Sequence, residues 1–236
     1  MCLPIPAPFC DILTPAMTLK ILLTAAAALL PAAAAQCDHP YFPAYPNTKW
    51  TYSSSTQSAG FTQRVVSNAG NAIVLENAFA GGTKATVRLT CADNGSLVQP
   101  QYAAVSGTGL GARVETLSFS GAAFPPPDRW SVGTKWSYSY RVRITVRAGG
   151  QNTVQTGSVK IDSTISAQED VKVPAGTFSA LKVDQVITSN LSVNVGGRST
   201  PINTTLRGSS WYANGVGMVR NVTNNVTQQL VSFVKV

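Results

Sequence analysis

From Trp136 to Arg147 the chain alternates without a break. Trp136, Tyr138, Tyr140, Val142, Ile144 and Val146 fall on one register, and Ser137, Ser139, Arg141, Arg143, Thr145 and Arg147 on the other. Successive side chains of a β-strand point to opposite faces, so a period of two predicts a strand with one apolar and one polar face. The turn residues "AGGQ" (148–151) follow, and the return segment "NTVQTGSVKIDSTIS" pairs back so that Tyr140 meets Val159 and Tyr138 meets Ile161. Toward the tip Ile144 opposes Gln155 and Val146 opposes Thr153, so the hairpin end is expected to leave the core and project into solvent. Arg141, Arg143 and Arg147 form a basic row on the outer face, a candidate contact for an anionic partner. Such a row also serves as a solvated strand face that discourages edge-to-edge aggregation.

The same grammar continues downstream. "VKVPAGTFSALKV" (171–183) sets Pro174-Ala175-Gly176 between two runs, "NVGGRS" (194–199) is a further turn, and "WYANGVGMVR" (211–220) carries Asn214-Gly215 between two strands, a hairpin signal. Thr, Ser, Val, Asn and Gly dominate, and amphipathic helical windows are scarce. The chain reads as all-β with antiparallel pairing. "VSGTGLGARVE" (105–115) and "GAAFPPPDRW" (121–130) read as loops. "GTGLG" lacks the lysine of a P-loop and the spacing of a dinucleotide fingerprint.

One word occurs twice, as "NTKWTY" (47–52) and "GTKWSY" (133–138), each downstream of a Phe-Pro pair. A glycine or asparagine before the strand permits a turn, and Trp and Tyr two apart place two large rings on one sheet face. "CADNGSLV" (91–98) loosely matches "YANGVGMV" (212–219). Two diverged β units are therefore expected, over residues 36–104 and 124–236, with 105–123 as their connection.

"MTLKILLTAAAALLPAAAAQ" (17–36) joins a cationic Lys20, a short apolar run and small residues, which is the pattern of a secretory signal peptide over 17–35, with cleavage after Ala35. Its apolar run is too short to span a bilayer comfortably, so no transmembrane segment is expected after cleavage. Proline-rich residues 1–16 form an odd extension, and translation is expected to start at Met17. Gln36, rather than a small residue, precedes Cys37, which disfavours a lipid anchor. Only Cys37 and Cys91 then remain of the four cysteines, and in an oxidising compartment an even pair predicts one disulfide.

The net charge of +8 accompanies only 12% charged residues. A basic exported chain can attract anionic envelope components, although ordinary solubility charge explains it equally. An export signal without a basic helix argues against nucleic acid.

"GTKWSY", "VPAGTFSALKV" and "WYANGVGMV" together resemble signature stretches of a family of exported bacterial β proteins of unknown function, the TapB-like family. The resemblance is best over 124–222 and weaker over 40–98. It implies an antiparallel, strongly curved sheet akin to the open half-barrels of periplasmic lipoprotein carriers, in a periplasmic or extracellular bacterial setting. It brings no catalytic residues.

The chemistry-bearing residues are sparse. Asp38-His39 beside a serine is the nearest approach to a hydrolase site, but no G-x-S-x-G elbow exists, and a lone surface histidine is the expected reading. Glu169-Asp170 and Asp162 are acidic residues at turn and strand ends without a marked cleft. No cofactor and no metal are expected. Three function classes stand. The first is a binding protein that shelters an apolar or amphipathic ligand, such as a lipid, against Trp50, Trp136, Tyr138 and Trp211. The second is an envelope interaction module using the basic hairpin. The third is a hydrolase.

Overall fold

A computed structural model describes residues 37–56, 60–80, 82–102, 111–148, 151–195 and 198–235. The signal segment, residues 1–16 and most of "GTGLG" lie outside the described residues, as do the centres of the turns at 149–150 and 196–197.

Among the described residues twelve strands form one antiparallel sheet: β1 Lys49–Ser54, β2 Phe61–Ala69, β3 Ala72–Phe79, β4 Lys84–Cys91, β5 Leu97–Val98, β6 Gly111–Gly121, β7 Lys135–Ala148, β8 Gln151–Val173, β9 Gly176–Val195, β10 Arg198–Ala213, β11 Gly217–Thr223 and β12 Val226–Val234. The order is β5-β4-β3-β2-β1-β12-β11-β10-β9-β8-β7-β6. Every pairing joins strands consecutive in sequence except β1 with β12, and the consecutive strands β5 and β6 stand at the two ends of the order. The two outer strands, β5 and β6, approach one another at a seam bridged by the backbone pair Leu97–Phe124. The sheet is thus curled into a nearly closed barrel, as the expectation of a strongly curved, open barrel required.

The β7–β8 hairpin has the register that alternation predicts: Tyr138 opposite Ile161, Tyr140 opposite Val159, Ile144 opposite Gln155 and Val146 opposite Thr153. Val142 and Val159 are buried, whereas Val154, nearer the hairpin tip, is exposed. The stretch 105–123, expected to be a connection, is corrected by the structure: β6 occupies 111–121 and pairs along β7. A bulge between Thr116 and Ser118 inserts Leu117 and breaks the period of two, which hid the strand.

Both copies of the repeated word do the same local work. Asn47 (φ 68°) and Gly133 (φ 93°) adopt the left-handed conformation that lets the chain turn into β1 and β7. Asn47 N–H donates to Val65 O and Val65 N–H to Thr48 O. Gly133 N–H donates to Ile165 O and Ile165 N–H to Thr134 O. Val65 and Ile165 are fully buried, and each is followed by a bulge in its strand.

At one end, the N-terminal segment closes the structure. The Cys37–Cys91 disulfide ties it to β4. Buried Asn68 accepts from Cys37 N–H and donates to the carbonyls of Cys37 and Ala44, and Pro40 O accepts from Gly215 N–H. Past the bulge after Ile165, the end of the β8–β9 hairpin crosses toward β11 and β12, where Ala175 N–H reaches Leu230 O.

Candidate functional site

The repeated word brings Trp50 and Tyr52 from β1, and Trp136 and Tyr138 from β7, to the inside of the curled sheet. There they border two adjoining cavities. One, of about 240 Å³, lies among Phe42, Trp50, Leu75, Leu89, Phe124 and Met218. The other, of about 310 Å³, is framed by Trp130, Trp136 and Tyr138 and by the polar side chains Gln185, Ser210 and Asn221. Gln99, Phe124, Tyr212 and Met218 border both. Among the described residues no Asp, Glu, Lys, Arg or His borders either cavity. A wall of rings, amides and hydroxyls offers apolar contact and neutral hydrogen bonding, and nothing to compensate an ion taken out of water.

The ring polar atoms are mostly engaged by the scaffold. Trp50 Nε1 donates to Val216 O at 2.6 Å, Tyr52 OH to Met218 O at 2.9 Å and Trp136 Nε1 to Ala123 O at 3.2 Å. Tyr140, deeper along β7, donates to Gln99 O at 3.0 Å. These bonds hold the rings in place, with Trp50 also stacked on Phe42 and Phe233 and Tyr52 on Phe61. Asn221 donates to Ser210 Oγ at 2.9 Å, and Gln185 to Ser163 Oγ at 3.3 Å.

Burial shapes the titration of this wall. Desolvation raises the Tyr52 and Tyr138 phenols well above their ordinary range, reinforced by nearby tyrosines. Tyr140 is pushed up to about 12 by burial and by the neighbouring Tyr102. Tyr212 is pushed up to about 12 by burial, against a hydrogen bond from Ser210. Tyr212 is only half-buried by exposed area, and the two facts agree because the area it exposes borders the cavities.

The sequence-derived candidates divide. Trp50, Trp136 and Tyr138 come together at the cavities. Trp211 stands on the opposite face of β10 from Tyr212 and borders neither. Its Nε1 donates to Glu169 Oε1 at 2.5 Å, with Arg220 4.9 Å and Lys182 5.7 Å from the ring centre. Val171, Val173 and Ala180 of the hairpin end pack in the same cluster. Tyr212, Phe124 and the carboxamides were missed, because each is brought to the wall by long-range pairing. The alternation Ser210-Tyr212 was the available signal for Tyr212.

Arg143 is exposed and paired with Glu115 of β6 at 3.2 Å, Arg141 is exposed, and the Arg147 side chain lies outside the described residues. His39 requires a correction, since it is fully buried rather than on the surface. Its Nδ1 accepts from Tyr41 N–H, so Nε2 carries the proton donated to Pro125 O at 3.0 Å. Desolvation lowers its pKa despite that bond and the nearby Asp38. Both nitrogens are occupied, and neither is free to act as a base. Glu169 binds Trp211, and Asp162 pairs with Lys160 at 2.8 Å. Among the described residues no cluster of three His, Cys, Asp or Glu could hold a metal ion, and no helix is long and apolar enough to cross a membrane.

A larger cleft of about 690 Å³ lies at the seam, bordered by Arg88, Tyr102, Arg113, Glu115, Leu117 and Phe119. It is a groove between sheet edges with both charge signs on its walls, and it lacks the convergent ring wall of the interior.

No curated protein matches the chain. Two solved structures share its fold. One is a candidate exported protein with a YmcC-like fold from Bacteroides fragilis, with 15% identity and a TM-score of 0.55 over 84% of this chain and 100% of that one. The other is a candidate lipoprotein from Parabacteroides distasonis, with 19% identity and a TM-score of 0.53 over the same shares. The DUF3108-like family profile matches residues 56–235, and the chain belongs to that family.

Proposed function

We propose that this chain is an exported, non-catalytic protein of the bacterial envelope that shelters an uncharged apolar or amphipathic molecule inside its curled sheet. The observation that carries this reading is the pair of adjoining interior cavities, walled among the described residues by fixed rings and neutral polar groups without a single charge. The larger, about 310 Å³, stands at the lower end of small-molecule sites, and the smaller, about 240 Å³, adjoins it. The descriptions of the two structural neighbours as exported protein and lipoprotein support an envelope setting. So do the signal-like segment 17–35 and the TapB-like character of the three motifs. The occupied nitrogens of His39 speak against the hydrolase reading.

The test is to express the full-length chain in a bacterium, establish by fractionation and N-terminal sequencing that it is exported and begins at Gln36, and extract the purified protein with organic solvent for mass spectrometry. A near-stoichiometric neutral ligand is expected. An empty protein that also fails to bind a neutral apolar fluorophore would remove the binding reading. It would leave the interaction module, for which exposed Arg141 is the relevant group.

A further inference from the structure

We infer that the ligand is a neutral lipid with a long hydrocarbon chain, and that this chain leaves the cavity along an uncharged strip on the inner face of β9 and β10. The inference rests on the binding function proposed above and specifies the class of molecule and a second contact surface.

Directly paired residues share a sheet face, so the register traces that surface outward. Gln185, at the cavity wall, stands opposite Gly208. Moving outward by two residues at a time, the next pairs are Ile187–Leu206, Ser189–Thr204 and Leu191–Ile202. None is charged. The charges of this region lie on the alternate register, where Arg207 faces Val186, Lys160 faces Thr188 and Arg141 faces Ser158. Ile202 (36%) and Leu206 (37%) remain exposed, while the adjacent Tyr140, Val142 and Val159 are buried and form the strip's inner margin.

A hydrocarbon chain fits this surface better than a peptide does. Between the two strands the backbone groups are consumed in the β9–β10 ladder, so the face of the strip offers an occupant only side chains. The outer edge of β10 lacks a β11 partner before Gly208, but it carries Pro201, which has no N–H to donate to an added strand. From Gly208 to Ile202 the strip runs about 20 Å at the usual strand rise, comparable with the roughly 15 Å of one leaflet of a bilayer core. The neutral polar cavity at its inner end, with Gln185, Ser210 and Asn221, suits an ester, amide or hydroxyl rather than a carboxylate or phosphate.

The test uses the full-length exported protein and methyl esters of 6-, 10- and 14-carbon fatty acids, with binding followed by intrinsic tryptophan fluorescence. Affinity is expected to rise about twofold per added methylene, half the effect of full burial because the strip covers one side of the chain. The double variant Ile202→Asn/Leu206→Asn changes two exposed side chains. It should bind the 6-carbon ester within twofold of the unaltered protein and the 14-carbon ester at least tenfold more weakly. Binding of the 6-carbon ester with no gain from length, or an unchanged length dependence in the double variant, would overturn the strip and leave the cavity reading standing. Failure of every ester to bind would overturn both. Tighter binding of the free 14-carbon carboxylate than of its methyl ester would overturn the neutral class.

Discussion

Trp211 and Tyr212 are consecutive residues of β10, yet they belong to different parts of the molecule. Tyr212 borders both interior cavities and meets Phe124 and Trp130 edge-on at 5.6 and 5.5 Å. Trp211 faces the other way, bonded to Glu169 and flanked by Arg220 and Lys182. The inner face gathers rings with neutral polar groups, and the outer face sets a ring among charged side chains. A ring in a strand is thus no sign of a ligand wall by itself, and the face on which it falls decides its role.

The largest effect that would sharpen this contrast lies on the inner face. Trp50 is 1% exposed, stacks on Phe42 and Phe233, and bonds Val216 O. Trp50→Ala should cost about 3–5 kcal/mol in denaturant unfolding and abolish ligand binding. Next, Tyr212→Ala should weaken ligand binding at least tenfold, whereas Trp211→Ala should destabilise the fold and leave the affinity of the folded protein within twofold, as titration calorimetry would show. Equal losses in binding would break the comparison. Trp211→Phe keeps the packing and removes the bond to Glu169, at a cost of about 1–2 kcal/mol in the same denaturant assay.

The two faces should also part with pH. Tyr140 and Tyr212 have folded pKa values raised to about 12, so their contribution is complete below pH 10 and is lost as pH rises from 10 through 12. Ultraviolet titration should show these phenols ionising late, with the alkaline unfolding transition. On the outer face burial raises Asp184, but hydrogen bonds from Ser209 and Ser166 and the charge of Lys182 outweigh it, and the net shift is downward. Its contribution is present above the ordinary value of 3.8 and fades as pH falls below it. Buried His39, with a lowered pKa, likewise favours the fold above 6.5 and ceases to do so as pH falls toward its folded value. The smallest effect belongs to the exposed pair Arg143–Glu115, where Arg143→Gln should change stability by less than about 1 kcal/mol.

The alternating run from Trp136 to Val146 was legible residue by residue, register included, because nothing interrupts its period. The Cys37–Cys91 bond was legible from cysteine number and compartment alone. β6 was not, because its bulge at Leu117 erases the alternation. His39 was misplaced because the carbonyl that buries it, Pro125 O, lies 86 residues away. Of the candidate site, Trp50, Trp136 and Tyr138 were readable as rings sharing a face. Alternation also separates Trp211 from Tyr212, but which of the two faces looks inward follows from long-range pairing, of β1 with β12 and of Leu97 with Phe124 across the seam.

Quenching by a brominated 14-carbon methyl ester tests the central claim most directly. It is added to the full-length protein and to Trp211→Phe and Trp136→Phe variants. The account predicts that the absolute fluorescence lost on binding is unchanged in Trp211→Phe and falls markedly in Trp136→Phe. Quenching that disappears with Trp211 and survives the loss of Trp136 would place the ligand on the outer face and contradict it.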